Sequence, residues 1–258
     1  MYKIFGSKEV FNDALEELSP IKIKKFHNKK TKSFGEGENS IKIACISDTH
    51  SLQNRINIPE CDLLISCGDL INYSDGERQM KSFSNWFECI NSKNKIVVPG
   101  NHDKYLEKNK SKFKQFFPTS HYLEYNFLKL DFKENNILIY GAPCTLRRNL
   151  FYFGNAYSLP GDQMKKEWEK IPDNTDILIT HVPPYDILDT TYNNKHVGSK
   201  LLRNEICNRI QPKIHIFGHN HDSEVSFAVG EFKNGNKCLF VNACILNDFK
   251  PSIIEYKY

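Results

Sequence analysis

Five short apolar segments, each followed closely by residues of the types that bind metal ions, constrain the fold of this chain more than any other feature. The segments are rich in isoleucine, valine and leucine and have the length of buried strands. They span residues 41–46, 63–66, 96–99, 177–179 and 214–217. The residues that follow them are Asp48-Thr49-His50, Gly68-Asp69, Gly100-Asn101-His102-Asp103, Thr180-His181 and Gly218-His219-Asn220-His221. Because ligand sites gather at the carboxyl ends of strands in open α/β sheets, we expect these residues to form one metal site.

Strand and helix patterns alternate after residue 40, which predicts an α/β fold. An amphipathic helix is expected over residues 74–91, and weaker helical patterns cover 104–117 and 198–210. Asn234-Gly235 predicts a hairpin between strands at 224–229 and 237–242, because this dipeptide favours tight turns. A second hairpin is expected within 122–140. The pattern indicates one α/β domain with two sheets and helices outside them.

Residues 1–40 differ in composition and are predicted to be a lysine-rich extension preceding a domain of residues 41–258. The segment 21–32 has six lysines and no acidic residue. Two interpretations stay open: a surface for a nucleic-acid backbone or anionic lipid, or a solvated extension, which like-charge runs favour. Part of the segment is also expected to add an edge strand, since Ile21, Ile23 and Phe26 are apolar. The net charge of +4 is too small to favour a nucleic-acid-binding protein.

The sequence favours a cytoplasmic protein with reduced cysteines. No apolar run approaches the roughly 20 residues that span a bilayer, so no membrane span is expected. The first residues lack a basic region followed by an apolar stretch, so no signal peptide is expected. None of the eight cysteines has CxxC spacing, and several lie in or beside apolar runs, where cysteine behaves as a small hydrophobic residue.

The residue types at the five strand ends suit two divalent metal ions. Asp48 and His50 project to the same side of an extended chain, and carboxylate and imidazole suit Mn²⁺, Fe or Zn²⁺. Asp69 follows a glycine that permits a sharp turn, and its two oxygens are able to bridge two ions. The predicted ligands are Asp48, His50, Asp69, Asn101, His181, His219 and His221. This count fits two ions roughly 3.5–4 Å apart, the arrangement used for displacement at phosphorus.

The order of these motifs resembles the calcineurin-like metallophosphoesterase family over about residues 41–245. Segments 46–51, 140–143, 176–184 and 241–243 are similar to its brain-type metallophosphoesterase-domain branch. The resemblance implies a four-layer αββα sandwich of two mixed β-sheets flanked by helices. It also suggests cyclic nucleotides as the substrate class.

The resemblance further implies a role for each site residue. The first ion would be held by Asp48, His50, Asp69 and His221. The second ion would be held by Asp69, Asn101, His181 and His219, with Asp69 as the bridge. A metal-bridging hydroxide would attack phosphorus, and His102 would protonate the leaving alkoxide. In the family an acidic residue three positions after the bridging aspartate supports this histidine. Asn72 occupies that position here, which predicts a weaker base.

Substrate contacts are expected from Asn101 and from the loop after residues 141–143. Arg147 and Arg148 are predicted to bind phosphate, and Phe151 and Tyr152 to stack on a base. Packing of these aromatic residues onto the sheet is an equal alternative. Residues 195–200 precede a helix and are predicted to form its N-terminus rather than a phosphate site. His27, His121, His196 and His215 are expected to be ordinary polar residues.

The predicted function is hydrolysis of small phosphodiesters, such as cyclic nucleotides, with two divalent ions (Mn, Fe or Zn) as cofactors. The alternatives are a phosphomonoesterase or protein phosphatase, a nuclease, and a metal- and nucleotide-binding protein of low activity. A nuclease would use the lysines between Lys22 and Lys32, and the low-activity alternative follows from Asn72. The sequence leaves the oligomeric state open.

Overall fold

Two large mixed β-sheets contain most of the strands of this protein. The computed structural model describes residues 21–26, 30–133, 135–147 and 155–258. The strands are β1 (Ile21–Phe26), β2 (Thr31–Gly35), β3 (Ser40–Ile46), β4 (Cys61–Ser66), β5 (Ser92–Val97), β6 (His121–Tyr122), β7 (Asn126–Phe132), β8 (Asn135–Ala142), β9 (Thr145–Leu146), β10 (Ser158–Leu159), β11 (Ile177–Thr180), β12 (Ile214–Phe217), β13 (Phe227–Phe232), β14 (Lys237–Asn242) and β15 (Ser252–Lys257). The α-helices are α1 (Gly76–Glu88), α2 (Lys104–Lys108), α3 (Phe113–Phe116), α4 (Gly161–Glu169) and α5 (Lys200–Glu205).

The topology brings the carboxyl ends of the predicted strands to one edge. One sheet has the order β2-β15-β3-β4-β5-β6, and β3, β4 and β5 run parallel within it. The other has the order β1-β13-β14-β12-β11-β8-β7, and β8, β11, β12 and β14 run parallel within it. All five predicted strands are present, with the one expected at 96–99 lying at Ser92–Val97, and they belong to the parallel centres of the two sheets.

Alternation of side chains along the strands divides the interior into three apolar layers. Ile43, Ile65 and Ile177 belong to the layer between the two sheets. Phe83 on α1 packs against the outer face of the six-stranded sheet, and Trp168 on α4 packs against the outer face of the seven-stranded sheet. The order helix, sheet, sheet, helix confirms the predicted αββα sandwich.

Two helix predictions differ from the structure. The predicted helix over 104–117 is broken into α2, a 3₁₀ turn at Lys110–Lys112 and α3. The break lies at Asn109, whose side-chain Nδ2 donates to the Tyr105 carbonyl at 2.8 Å and so competes with the helical backbone pattern. The segment predicted to be helical over 198–210 comprises α5 followed by a π-helical turn at Ile206–Ile210.

The lysine-rich segment adds an edge strand to each large sheet. β1 pairs antiparallel with β13, and β2 pairs parallel with β15. The expected edge strand is thus confirmed. Exposed lysines on an edge strand discourage pairing with another chain, which gives these side chains a structural role. The domain boundary at residue 41 stays a prediction.

Two further observations bear on membrane crossing and redox state. Among the residues that the structure describes, no helix combines the length and the apolar character needed to cross a membrane. All eight cysteines are free thiols, and Cys89 is exposed while the other seven are buried.

Candidate metal centre

The loops that follow the parallel strands are fastened to one another by backbone hydrogen bonds. The Asp48 N–H donates to the Gly68 carbonyl at 2.9 Å, and the His50 N–H donates to the Asp69 carbonyl at 3.0 Å. Asp48, His50, Asp69 and His219 all have positive φ angles. Non-glycine residues seldom adopt this conformation, and such strain clusters at functional sites. The backbone is therefore shaped to point these side chains toward one another.

One group of four side chains has the geometry of a cation site. Asp48, His50, Asp69 and His221 each offer one ligand atom, and these atoms lie within 4.8 Å of one another. The His221 Nε2 is 3.0 Å from Asp48 Oδ1, and the His50 Nε2 is 3.8 Å from Asp69 Oδ2. The two Nε2 atoms lie 3.3 Å from each other. Two imidazole nitrogens converging between two buried carboxylates fit a divalent metal ion.

A second group adjoins the first through Asp69. The His181 Nε2 is 3.4 Å from Asp69 Oδ2 and 3.0 Å from Asn101 Oδ1. The His219 ring is next to the His181 ring, with centroids 5.0 Å apart. The structure thus brings all seven predicted ligand residues together, with Asp69 between the two groups.

Burial and neighbouring histidines determine the charge of this centre. Burial opposes ionisation of Asp69, but His181, followed by His102 and His50, holds its pKa below the usual range. Burial likewise opposes ionisation of Asp48, and its hydrogen bond to His221 and the proximity of His181 keep its pKa low. Burial lowers the pKa of His181, but Asp69 outweighs this effect and raises that pKa to about 9. A metal ion that binds His181 must therefore displace a proton.

Backbone groups hold the candidate ligands in position. The Cys67 carbonyl lies 2.9 Å from His181 Nδ1 and accepts a hydrogen bond from it, which leaves Nε2 to face Asp69 and Asn101. The His102 N–H donates to Asp69 Oδ1 at 2.8 Å. The His219 N–H donates to Asp48 Oδ2 at 3.0 Å. A second interaction therefore orients Asp48, Asp69 and His181, as is common for the ligands of metal sites.

His102 lies at the rim of the centre rather than inside it. Its Nε2 is 3.9 Å from Asp69 Oδ2, and its side chain is 24% exposed. The ring stacks on Tyr73, with centroids 4.0 Å apart. Its Nδ1 is buried and has no hydrogen-bond partner among the described residues.

Neither Asn72 nor Asp103 supports the His102 ring. Asn72 Nδ2 donates to the His50 carbonyl at 2.9 Å. Asp103 is fully buried and accepts backbone hydrogen bonds from Leu70 at 2.9 Å and Gly100 at 2.7 Å. Asp103 therefore joins the loops after β4 and β5.

A cavity of about 680 Å³ adjoins the centre at His219. Arg147 lines it and donates from Nη2 to the Ser158 carbonyl at 2.7 Å. The other loop residues predicted to bind substrate, Arg148, Phe151 and Tyr152, lie outside the described residues, as does His27. Arg147 is the described member of this predicted loop set, and it lies beside the candidate metal centre, in the wall of the cavity that His219 also lines.

Backbone N–H groups of the segment 195–200 form hydrogen bonds within the protein. The Gly198 N–H donates to Asp189 Oδ2 at 3.0 Å, and the Ser199 N–H donates to the Pro183 carbonyl at 2.9 Å. Ser199 Oγ caps α5 by accepting from the Leu202 N–H. The prediction of a helix N-terminus is confirmed.

Sequence reasoning did not single out two residues of this region. Tyr73 stacks on His102 and is 49% exposed. The signal in the sequence was an aromatic residue among the polar residues of segment 72–77. His196, expected to be ordinary, lines the cavity and places Nδ1 2.8 Å from Asp189 Oδ1. Its partner, Asp189, belongs to none of the motifs identified in the sequence.

Comparison with known proteins agrees with the fold. A sequence model of calcineurin-like phosphoesterases matches residues 41–223. Metallophosphoesterase domain-containing protein 1 of Homo sapiens is 30% identical over 220 residues, which cover 76% of this chain and 66% of the human protein. The solved structure of TT1561 of Thermus thermophilus superposes with a TM-score of 0.53 at 14% identity, covering 83% of this chain and 98% of that chain. Phosphopantetheinyl hydrolase from Mycobacterium tuberculosis gives a TM-score of 0.52 at 13% identity, covering 79% and 88%.

These matches define a class of metal-dependent phosphoesterases. The chain belongs to the calcineurin-like phosphoesterase family. The match spans slightly less than two thirds of the length of the human relative. The two solved structures share the fold at low identity. The family implies divalent metal ions, and the Asp48, His50, Asp69 and His221 cluster is the candidate site for one of them.

Proposed function

We propose that this protein is a dinuclear metal-dependent phosphodiesterase that hydrolyses small phosphodiesters, with cyclic nucleotides as the leading substrates. The observation that carries the proposal is the buried cluster of Asp48, His50, Asp69 and His221. Asn101, His181 and His219 adjoin this cluster on the other side of Asp69 and supply the remaining donors.

The first ion is assigned to Asp48, His50, Asp69 and His221, and the second to Asp69, Asn101, His181 and His219. The mixture of imidazole, carboxylate and amide donors suits Mn²⁺, Fe or Zn²⁺. When bound, two such ions supply Lewis acidity that activates water and neutralises charge on a phosphoryl group. The chain holds its donors ready by the backbone hydrogen bonds to Asp48, Asp69 and His181.

His102 is assigned as the proton donor to the leaving oxygen. Its Nε2 is near the candidate bridging carboxylate, and its partial exposure gives it access to a substrate outside the centre. The Asn101 Nδ2 lies 3.5 Å from the Tyr73 hydroxyl, so Tyr73 is in contact with both Asn101 and His102.

The size of the adjoining cavity supports a small substrate. Its volume of about 680 Å³ is within the range of sites for small molecules and cofactors. Arg147 in its wall supports a substrate with negative charge. The three predicted contacts at Arg148, Phe151 and Tyr152 stay part of the proposal.

A substrate panel tests the proposal. Purified protein is loaded with Mn²⁺, its metal content is measured, and it is assayed on 2′,3′- and 3′,5′-cyclic nucleotides, a phosphomonoester and single-stranded RNA. We expect two bound ions per chain and the highest kcat/KM on a cyclic nucleotide. A preference for the monoester or for RNA would replace the proposal with a monoesterase or a nuclease. Metal binding with no hydrolysis of any substrate would support a binding protein.

The free thiols, seven of them buried, are consistent with the predicted cytoplasmic location. We propose that location, and fractionation of cells that produce the protein tests it.

A further inference from the structure

The cavity beside His219 is lined mostly by residues that do not belong to the candidate metal centre. Near the centre, Asn155 lines the cavity and accepts a hydrogen bond from the Tyr73 hydroxyl at 2.6 Å. Tyr185, His196 and Lys200 line it as well. A phosphoester held at the metal centre therefore has one open space beside it for its organic group.

Two aromatic rings of the cavity lining are in contact with each other. The Tyr185 and His196 rings have centroids 4.6 Å apart and an interplanar angle of 40°. The Lys200 Nζ lies 4.8 Å from the Tyr185 ring centroid, within cation–π distance. Aromatic rings bind nucleobases by stacking regardless of base identity. These residues thus offer aromatic surface next to a positive charge.

His196 is oriented by a buried carboxylate. Asp189 is fully buried and accepts from His196 Nδ1 at 2.8 Å and from the Gly198 N–H at 3.0 Å. Because Nδ1 carries the proton in this pair, Nε2 is left to accept a hydrogen bond when the ring is neutral. An amino or hydroxyl group on a ligand is the matching donor.

The charge of the lining favours an anionic ligand. Arg147 and Lys200 contribute to it, and no aspartate or glutamate among the described residues does. Much of the remaining surface is apolar, from side chains such as Leu146, Met164 and Val182. An apolar wall, two rings and two cations together match a nucleoside that carries a phosphate.

We infer that this cavity binds the nucleoside part of a nucleotide substrate, with Tyr185 as the stacking residue, His196 as a hydrogen-bond acceptor and Lys200 as the residue that attracts the phosphate-bearing ligand. The inference rests on the proposed function, because it assigns the phosphoryl group to the metal centre. It adds the residues that recognise the organic group.

Equilibrium binding tests the inference independently of catalysis. Adenosine, guanosine and their 5′-monophosphates are titrated by calorimetry into protein with Mn²⁺ and into protein treated with EDTA. In Tyr185→Leu, we expect both nucleosides and both nucleotides to bind about tenfold more weakly, because the stacking contact is lost. Tyr185→Phe keeps the ring and should restore binding.

The charge contribution has a different expected signature. Lys200→Ala should weaken binding of the monophosphates by about three- to tenfold and change binding of the uncharged nucleosides by less than about twofold. Tyr192→Leu and Lys195→Ala are matched controls, because both residues are exposed in the same segment and neither lines the cavity. The controls should bind all four ligands like the unchanged protein.

The outcomes separate this inference from the proposed function. Unchanged binding in Tyr185→Leu, or no binding of any of the four ligands to the unchanged protein, overturns the inference. If the unchanged protein hydrolyses cyclic nucleotides and Tyr185→Leu binds all four ligands as tightly as the unchanged protein does, the inference is overturned while the proposed function stands. Binding that depends on Tyr185 without hydrolysis of any phosphoester would support the cavity assignment and remove the proposed function.

Discussion

Replacement of His102 by alanine is the sharpest test of the proposed chemistry. The His102 Nε2 is 3.9 Å from Asp69 Oδ2, and the side chain lies outside the cluster of four candidate ligands. The contact that His102 makes with Asp69 Oδ1 comes from its backbone N–H, which alanine retains. His102→Ala should therefore leave metal content unchanged while removing a proton donor.

The expected loss depends on the leaving group. General acid catalysis contributes about 10²- to 10⁴-fold when the leaving oxygen needs a proton. A cyclic nucleotide releases an alkoxide, which is strongly basic, so the loss in kcat/KM should lie in that range. A p-nitrophenyl ester releases a weakly basic phenolate, and its hydrolysis should fall by less than about tenfold.

The assay compares both esters under single-turnover conditions with metal content measured on the same sample. His121→Ala is the matched control, because His121 lies in β6 at the edge of the six-stranded sheet. It should behave like the unchanged protein with both esters. Equal losses for both leaving groups, or loss of a metal ion in His102→Ala, would refute the reasoning.

Three further predictions concern stability and metal binding. Each Mn²⁺ ion bound at a hundredfold excess over its dissociation constant should stabilise the protein by about 2.7 kcal/mol and raise its Tm by about 5–10 °C, so two ions should give about twice this effect. Asp69→Asn should lose most of this increase in a thermal melt. A Cβ on Gly218 would overlap Ser47 Oγ and Asp48 Oδ2, so Gly218→Ala should bind less metal and its free energy of unfolding should fall by about 1–3 kcal/mol in urea. In the control Gly161→Ala, where the nearest atom is 3.9 Å from the added Cβ, the free energy of unfolding should change by less than about 0.5 kcal/mol. Burial lowers the pKa of His215 to about 3 from 6.5, so the unfolded state binds more protons than the folded state as pH falls below 6.5. In EDTA, the free energy of unfolding should therefore fall by about 2 kcal/mol between pH 6.5 and pH 5, and His215→Gln should show a smaller fall.

The hydrogen bonding of His215 favours the same neutral form of the ring as its burial does. The Thr180 hydroxyl donates to the Val182 carbonyl at 2.6 Å, so its oxygen accepts from His215 Nε2 at 2.9 Å. The Nδ1 is buried without a partner among the described residues. Protonation would add an unpaired N–H and a charge in the interior, which is why the neutral ring is favoured.

The sheets and the candidate centre were predictable because both follow from local patterns. Runs such as 41–46 and 214–217 are apolar enough to be central strands, and parallel strands deliver the residues after them to a common edge. Asp48 and His221 are far apart in sequence, yet each follows such a strand. These two strands belong to different sheets, so the meeting of Asp48 and His221 also depends on how the sheets stack, and for that the family resemblance was needed.

Features that depend on individual side-chain contacts were not predictable. The strand predicted at 224–229 lies at Phe227–Phe232, because pairing with β14 and β1 determines its register. The helix break at Asn109 depends on one side-chain hydrogen bond. The partnership of His196 with Asp189 depends on how a loop folds back, for which the sequence carries no periodic signal.

The surroundings of His102 weaken the binding of a proton to its ring. A carboxylate at position 72 would stabilise the imidazolium, but Asn72 donates to the His50 carbonyl, and Tyr73 fixes the ring plane by stacking without supplying charge. Burial lowers the pKa of His102, an effect that Asp69 only partly opposes. The protonated ring is therefore a stronger acid than free histidine but is less populated at neutral pH. Protonation of an alkoxide should consequently decline as pH rises through this lowered pKa, whereas release of a phenolate, which needs no proton, should not decline for this reason.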